Sequence, residues 1–284
     1  MVHSFLLIGQ SNMAGRGFLH EAQPIRDSRI KTLRNGRWQT MWEPIHFDRP
    51  FAGIGLGASF AKRWTQDHPE EEIGLIPCAD GGSCLDEWMP GTALFDHAVF
   101  QTELARRVSV LDGILWHQGE NDCTEELIRT YPERFDRFLR GFREAIQAQE
   151  LPFLIGGLGD YLIRCDLYND FTKTPLMNRA LRTCAETHEN CYFVTASGLT
   201  SNPDLLHLNA ESQRKFGLRY YEAYCSRKHV EGPVNGEDEQ LRMASAFRDM
   251  TPEEKISLLK RDLDAGIITG QEYEMRAADL VRMM

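Results

Sequence analysis

Five short, mostly apolar runs, each followed at once by a glycine-rich or polar turn, constrain the fold of this chain most. Their apolar residues are continuous rather than alternating with polar ones, which is typical of strands that are buried on both faces of a sheet. We therefore predict buried β-strands at five places, namely Ser4–Ile8, Ile73–Cys78, Gly113–His117, Phe153–Gly157 and Tyr192–Thr195.

Helical patterns lie between these runs. The clearest begins at Asn209, a residue that can cap a helix, and continues with an apolar stripe at helical spacing. Strands that alternate with helices indicate an α/β fold class, with a parallel sheet of about five strands and helices on both faces. We predict helices at Leu56–Trp64, Tyr131–Ile146, Leu176–Ala185 and Asn209–Tyr224.

One short segment departs from this alternation. Asn35-Gly36 stands between two strand-like pairs within Leu33–Trp38. Asn-Gly favours a tight two-residue hairpin because both positions tolerate a positive φ. We predict a small surface ribbon, inserted after the first helix.

Composition and charge exclude several classes of protein. The chain has 284 residues, of which 42% are hydrophobic, so it can bury a sizeable core in one large domain, alone or with an appendage. A net charge of −10 argues against nucleic acid as a partner, because an acidic surface repels phosphates. No apolar window is long enough for a membrane span, and the N-terminus has no charged leader. We therefore expect no membrane association and a cytoplasmic location.

The seven cysteines do not suggest a disulfide framework, because their number is odd and their spacing irregular. No pair has the spacing of a zinc site. We accordingly expect neither a metal nor a cofactor.

The composition changes near residue 230, where a segment rich in glycine and proline separates the strand-helix units from polar helices without strand signals. We predict one domain of strand-helix units at 1–230 and a helical extension at 231–284, with a helical hairpin at about 251–284. The segment Asp264–Tyr273 resembles a short C-terminal helical module of many bacterial proteins, which implies a packing or interaction element. Homo-oligomerisation through these helices is one such role.

The segment GQSNMAG at 9–15 places Ser11 in the turn that leaves the first strand, close to the start of a helix. Such a turn exposes a hydroxyl and directs backbone N–H groups at an anion. Ser11 is either the N-cap of that helix or a nucleophile.

Asp204 and His207 favour the second interpretation of Ser11. A spacing of three residues lets the carboxylate accept a hydrogen bond from one imidazole nitrogen, which leaves the other nitrogen free to take a proton. Both residues precede the helix at Asn209, at the end of the last strand-helix unit. The carboxyl ends of parallel strands share one edge of the sheet, so Ser11 and His207 can meet there. The alternative is a turn aspartate and a surface histidine.

Two further turns follow predicted strands. Gly81 and Gly82 let a backbone N–H approach a ligand closely, although a plain turn explains them equally well. The segment WHQGEND at 116–122 offers Gln118 or Asn121 as an amide donor to an oxyanion. Its carboxylates can hold that amide or the histidine in place, or they can cap the next helix.

Taken in chain order, these four segments resemble the four blocks of the SGNH (GDSL-like) hydrolases. They are closer to one branch, the carbohydrate O-acetylesterases, which include acetylxylan esterases and sialate O-acetylesterases. The residues that carry the resemblance are GQSNMAG at 9–15, WHQGEND at 116–122 and DLLH at 204–207. The resemblance covers about residues 1–228 and implies a flavodoxin-like, three-layer α/β/α fold.

The resemblance also implies roles for individual residues. Ser11 would be the nucleophile, His207 the general base and then acid, and Asp204 the carboxylate that orients the imidazole. The backbone N–H groups of Ser11 and of the turn near Gly82 would form an oxyanion hole together with one side-chain amide. Neighbouring polar side chains of the same blocks would support the site, namely Gln10, Asn12 and Glu120.

The identity of the amide stays open. The wider superfamily takes it from the position of Asn121, whereas the carbohydrate-esterase branch can use the position of Gln118. This chain has both residues, and we favour Gln118.

The implied activity is that of a serine esterase, which removes O-acetyl groups from carbohydrates through an acyl-enzyme intermediate. The implied partner is a small acetylated carbohydrate, either an acetylated xylo-oligosaccharide or a sialic acid. We expect substrate contacts from residues in or beside the four blocks, namely Arg16, Asp86, Trp88 and Trp116.

Three alternatives to this activity remain. The chain could be a catalytically silent carbohydrate-binding relative, or an esterase for other short-chain acyl esters. A cysteine hydrolase is the third, with Cys78, Cys84 or Cys123 as nucleophile. A lipase of the α/β-hydrolase class is a poor alternative, because the serine motif is not G-x-S-x-G and the aspartate and histidine stand too close together.

Overall fold

The computed structural model describes residues 1–167, 169–244, 250–264 and 266–283. They belong to two compact units, Met1–Ser245 and Ala246–Met284. The first unit contains a sheet of seven strands, which are β1 (Val2–Gly9), β2 (Ile30–Arg34), β3 (Arg37–Thr40), β4 (Glu72–Pro77), β5 (Ser109–His117), β6 (Phe153–Gly156) and β7 (Cys191–Val194).

The strand order is β3-β2-β4-β1-β5-β6-β7, and every neighbouring pair is parallel except β2 with β3. The predicted α/β fold class with a largely parallel sheet is therefore confirmed. Strand β1 lies in the middle of the sheet, between β4 and β5. Strands β2 to β4 lie on one side of β1 and strands β5 to β7 on the other, so the direction of the strand order switches at β1. Open α/β sheets bind ligands at the carboxyl ends of their strands, at such a switch in strand order.

Helices cover both faces of the sheet. Phe5 of β1 contacts Phe60 and Tyr224 on one face, and Phe5 is level with Gly113 of β5. Trp116 lies three residues further along β5, so its side chain points to the other face. There its ring lies 4.8 Å from that of Phe138. The helices on the first face are α2 (Gly57–Asp67) and α6 (Ala210–Ser226), and those on the second are α3 (Ala93–Arg106), α4 (Glu125–Ala145) and α5 (Thr174–Thr187).

The predicted count of about five strands is too low, because the hairpin at Asn35-Gly36 is not a surface ribbon. Its turn forms as predicted, with positive φ at both residues. Strand β2, however, pairs in parallel with β4, with Thr32 level with Leu75. Burial of Ile30, Thr32 and Leu33 stabilises β2 as part of the sheet. A short polar segment gives little indication of this tertiary pairing.

The first unit also extends beyond the predicted boundary at residue 230. Helix α7 (Glu237–Ala244) is joined to α6 by a buried, two-pronged ion pair between Glu237 and Arg219, with N–O distances of 2.7 and 3.0 Å. A buried arginine requires a partner of this kind, so α7 belongs to the first unit. The sequence patterns also did not predict helix α3.

The second unit contains helices α8 (Pro252–Asp264) and α9 (Gly270–Val281), where the helical hairpin was predicted. Thr269 caps α9 by accepting a hydrogen bond from the N–H of Glu272, whose side chain in turn accepts from the N–H of Thr269. Among the described residues, no helix is both long and apolar enough to cross a bilayer.

Candidate active site

Ser11 lies at the carboxyl end of the central strand β1. Gly9 has a φ of 124°, and a Cβ there would lie 2.1 Å from the carbonyl oxygen of His117, so only glycine fits this turn. The chain then enters the short helix α1 (Ser11–Ala14), with Ser11 as its first residue. The strand-to-helix turn that the sequence predicts is present, and it directs the Ser11 hydroxyl toward the edge of the sheet.

His207 and Asp204 meet Ser11 at this edge, although 196 residues separate the hydroxyl from the imidazole in sequence. Ser11 Oγ lies 3.1 Å from His207 Nε2, and His207 Nδ1 lies 2.7 Å from Asp204 Oδ2. The carboxylate neighbour assigns the proton of the neutral ring to Nδ1 and leaves Nε2 as an acceptor. The three side chains therefore form one hydrogen-bonded chain.

Asp204 organises its own turn. Its Oδ1 accepts hydrogen bonds from the N–H groups of Leu206 and His207, at 2.9 and 3.0 Å, which form an Asx turn. Leu205 between them has a φ of 56°, an uncommon conformation for leucine that this turn maintains. Partial burial raises the pKa of Asp204, but the hydrogen bonds from His207 and Leu206 lower it more. The carboxylate is therefore ionised at neutral pH.

Asn12 ties the Ser11 turn to the His207 turn. Its Oδ1 accepts from the N–H of Leu208 at 2.9 Å, and its Nδ2 donates to Glu120 Oε1 at 2.6 Å. The same Glu120 oxygen lies 3.0 Å from His117 Nε2. Burial raises the pKa of Glu120, but the charge and hydrogen bond of His117 lower it more. Asn12 and Glu120 thus hold the two halves of the site together.

Gly82 presents its backbone at the same edge. It has a φ of 82°, no atom lies within 4 Å of where its Cβ would stand, and the residue is exposed. Among the hydrogen bonds of the described residues, the N–H groups of Gly82 and Ser11 have no acceptor. Two backbone donors are therefore available to a negatively charged oxygen.

Arg16 and Asp48 fix the glycine turn. Asp48 Oδ2 accepts from the N–H of Gly81 at 2.9 Å and from the guanidinium of Arg16 at 2.5 Å. Both side chains of this ion pair are 4% exposed. The sequence indicated no role for Asp48, because it lies in an irregular segment far from the four blocks. Its hydrogen bond from the N–H of Gly81 shows that Asp48 holds the glycine turn in place.

Asn121 faces the site, whereas Gln118 does not. Asn121 is half-buried, and its Nδ2 donates one hydrogen bond to the carbonyl oxygen of Gly82. Gln118 has no exposed surface, and its Nε2 already meets Asp122 Oδ2 at 2.7 Å and Gln10 Oε1 at 3.2 Å. The preference for Gln118 as the oxyanion donor therefore disagrees with the structure. Its amide is used inside the protein, while one N–H of Asn121 remains for a ligand.

Gln10 supports the turn that carries Asn121. Its Oε1 accepts from the N–H groups of Gly119 and Asn121, at 3.4 and 3.5 Å. Asp122 adds a second tie, because its Oδ2 accepts from the N–H of Leu85 at 2.8 Å and its Oδ1 from Arg134 at 2.8 Å. The turn is thus held by buried hydrogen bonds on two sides.

The four predicted substrate contacts have other environments. Trp88 and Trp116 have no exposed surface, and their rings pack against each other 5.6 Å apart, so the prediction that they contact a sugar is wrong. Arg16 is buried in its ion pair with Asp48. Asp86 is exposed and pairs with Arg134 at 3.0 Å. An aromatic residue near a strand end packs in the core when its side chain points to a covered face.

The three cysteines named as alternative nucleophiles lack activation. Burial raises the pKa of Cys84 and Cys78, and it raises the pKa of Cys123 to about 11. A thiol with a raised pKa remains protonated at neutral pH, and the thiolate is the reactive form. The serine site is therefore the better candidate.

Comparison with known proteins shows the family of this chain. A family model described as a carbohydrate esterase, sialic acid-specific acetylesterase, matches residues 1–226. A probable carbohydrate esterase of Arabidopsis thaliana is 30% identical over 248 residues, which cover 78% of this chain and 90% of that protein.

Solved structures show the same fold. An X-ray structure of an Arabidopsis thaliana protein has a TM-score of 0.68 at 29% identity and covers 79% of this chain and 98% of its own. The structure of NanS has a TM-score of 0.65 at 17% identity, and the match covers 80% of this chain and 97% of the NanS chain. A carbohydrate acetylesterase from Xanthomonas citri has a TM-score of 0.57 at 19% identity, and the match covers 78% of this chain and 55% of that protein's chain. These likenesses concern the fold, whereas the family model matches well over half of the chain; the chain therefore belongs to the carbohydrate esterases of the sialic acid-specific acetylesterase family.

Proposed function

We propose that this protein is a serine esterase that removes O-acetyl groups from small carbohydrates, either acetylated xylo-oligosaccharides or sialic acids. The observation that carries the proposal is the hydrogen-bonded chain from Ser11 through His207 to Asp204. An unassisted serine hydroxyl is a weak nucleophile at neutral pH, and this chain supplies the oriented base that it needs. The match to the carbohydrate esterase family supports the substrate class.

In the first half of the proposed reaction, Ser11 Oγ attacks the acetyl carbonyl while His207 Nε2 takes the hydroxyl proton. Asp204 stabilises the imidazolium that forms. The tetrahedral oxyanion accepts hydrogen bonds from the N–H groups of Ser11 and Gly82 and from the Asn121 amide. The C–O bond to the sugar then breaks, and His207 returns its proton to the leaving hydroxyl.

In the second half, water attacks the acetyl group on Ser11. His207 again accepts a proton, now from the water, and the same three donors stabilise the second oxyanion. Acetate leaves when Ser11 Oγ regains the proton from His207. The base that activates Ser11 also activates the water, so replacing His207 should slow both halves.

The nucleophile is tested by intact mass after treatment with a fluorophosphonate probe. We expect the wild type to gain one probe mass, and Ser11→Ala to gain none and to lose acetate release from acetylated xylo-oligosaccharides and from O-acetylated sialic acid by several orders of magnitude. Ser201→Ala is a matched control, since Ser201 lies in the neighbouring His207 loop but outside the hydrogen-bonded chain. A probe adduct that persists in Ser11→Ala would assign the nucleophile elsewhere.

A cytoplasmic location is part of the proposal. All seven cysteines are free thiols, a state that reducing compartments maintain. Fractionation of cells that make the protein tests this location, and recovery in the secreted fraction would contradict it.

A further inference from the structure

The backbone donor at Gly82 belongs to a peptide group that lies between two glycines. Its N–H shares a peptide plane with the carbonyl of Gly81, and in a trans peptide these two bonds point in opposite directions. The two glycines are the central residues of a β-turn, which closes where the N–H of Ser83 donates to the carbonyl oxygen of Asp80 at 3.4 Å. Gly82, but not Gly81, has a positive φ, of 82°, which is the geometry of a type II turn.

The other common turn type would remove this donor from the site. In a type I turn the central peptide is rotated by about 180°, so the carbonyl of Gly81 would stand where the N–H of Gly82 stands now. A carbonyl oxygen carries partial negative charge and would repel an oxyanion. Glycine adopts positive and negative φ about equally readily, so the pair Gly81-Gly82 does not select either type by itself. Contacts from outside the turn must therefore select it.

Arg49 makes such a contact. Its Nη2 donates to the carbonyl oxygen of Gly81 at 2.6 Å. The same guanidinium lies 3.0 and 3.2 Å from the two carboxylate oxygens of Asp80, and its Nη1 donates to the carbonyl oxygen of Asp48 at 2.7 Å. Because a guanidinium presents its donors in one rigid plane, these partners fix its direction. The carbonyl of Gly81 is thus held in one direction and the N–H of Gly82 in the opposite one.

The neighbouring backbone groups are bound as well. Asp48 accepts from the N–H of Gly81 at 2.9 Å, and Asn121 donates to the carbonyl oxygen of Gly82. The bond from Arg49 therefore completes a set of contacts that leaves the N–H of Gly82 for a ligand. It also polarises the peptide, because hydrogen bonds in a chain strengthen one another, and this makes the N–H a better donor.

We propose that Arg49 is a positioning residue for the esterase: it holds the Gly81–Gly82 peptide so that the N–H of Gly82 faces the oxyanion. The inference rests on the esterase function above. Arg49 differs in its role from Asp48, which binds the preceding peptide. Its charge is neutralised by Asp80, so Arg49 acts through the hydrogen bond to the carbonyl rather than through its net charge.

The kinetic test compares Arg49→Gln and Arg63→Gln with the wild type on a soluble acetyl ester. Loss of a whole oxyanion donor lowers kcat by about 10²–10³, whereas Arg49→Gln keeps the donor and frees only its orientation, so we expect kcat to fall about 10-fold at an unchanged KM. Arg63 pairs with Asp67 within α2, away from the turn, and Arg63→Gln should match the wild type. An unchanged kcat in Arg49→Gln, a change confined to KM, or an equal fall in Arg63→Gln would overturn the proposal.

A spectroscopic test observes the peptide itself and needs no activity. When glycine is labelled with carbon-13 at its carbonyl and with nitrogen-15, an HNCO spectrum detects only glycines that directly follow another glycine. The sequence contains two such pairs, Gly81-Gly82 and Gly156-Gly157. The N–H of Gly157 is buried and donates to the carbonyl oxygen of Val194 at 2.8 Å, whereas Gly82 is exposed. Slow exchange with solvent therefore identifies the signal of Gly157.

In Arg49→Gln we expect the carbonyl signal of Gly81 to move upfield, because its oxygen loses the bond from the guanidinium, while the Gly156-Gly157 signal stays in place. A Gly81-Gly82 signal at its wild-type position would refute the proposal, and so would equal shifts of both signals, which would indicate a general change of structure. If the wild type cleaves no acetyl ester, the esterase function fails, and this spectrum still decides whether Arg49 orients the peptide.

Discussion

Replacing Asn121 by alanine should separate the oxyanion donor from the residues that merely support it. Asn121 Nδ2 has two N–H groups, of which one donates to the carbonyl oxygen of Gly82. The substitution removes the other from the oxyanion and leaves the two backbone donors in place. Loss of one such donor lowers kcat by about 10²–10³, with little change in KM because the interaction forms in the transition state.

Gln118→Ala should behave differently, because its side chain lies inside the protein. The substitution removes the acceptor of the Tyr131 hydroxyl at 2.8 Å and a donor to Asp122 at 2.7 Å. A buried polar group that loses its partner costs about 1–3 kcal/mol. We therefore expect a lower free energy of unfolding, whereas the half-buried Asn121→Ala should unfold close to the wild type.

The assay measures kcat and KM for a soluble acetyl ester, together with urea unfolding, for both variants and the wild type. The reasoning is refuted if Asn121→Ala retains kcat within a few-fold of the wild type. It is equally refuted if Gln118→Ala loses about 10²-fold or more in kcat at unchanged stability, since that result would return the oxyanion role to Gln118.

Two further predictions concern stability. Burial raises the pKa of Asp27, but hydrogen bonds from Arg29 and Lys62 hold that pKa well below its usual range. The ionised carboxylate therefore contributes its full share to stability above about pH 4, and this contribution is lost as the pH falls further. Asp27→Asn should therefore lower Tm at neutral pH and flatten the acid side of a Tm–pH profile; a profile parallel to the wild type would contradict this. Arg214→Met leaves Glu43 buried without its two-pronged partner and should cost about 3–5 kcal/mol in urea unfolding, whereas the exposed Arg140→Met should cost less than about 1 kcal/mol. Equal losses in the two arginine variants would show that burial does not determine the cost.

Sequence reasoning succeeded where local pattern and strand topology carry the information. The apolar runs predicted five of the strands, and the rule that parallel strands end at one edge placed Ser11 near His207 before any distance was known. It failed for the hairpin at Asn35-Gly36, because strand pairing at a sheet edge depends on the burial of Ile30 and Thr32 by distant residues. The unit boundary was misplaced for the same reason, since only the contact of Glu237 with Arg219 reveals it.

The sequence by itself determined the α/β alternation and the order of the polar turns, because hydrophobic period and turn chemistry act between near neighbours. Only the tertiary structure decided which polar side chains face the site. Gln118 and Asn121 stand three residues apart in one turn, yet buried partners engage the first and leave one N–H of the second for a ligand. The tertiary structure also decided the environment of Trp116, whose ring lies in the core because helices cover its face of the sheet. Which polar groups find buried hydrogen-bond partners, and which faces of the sheet are covered, depends on residues that are far apart in the chain. A local sequence pattern therefore cannot predict either.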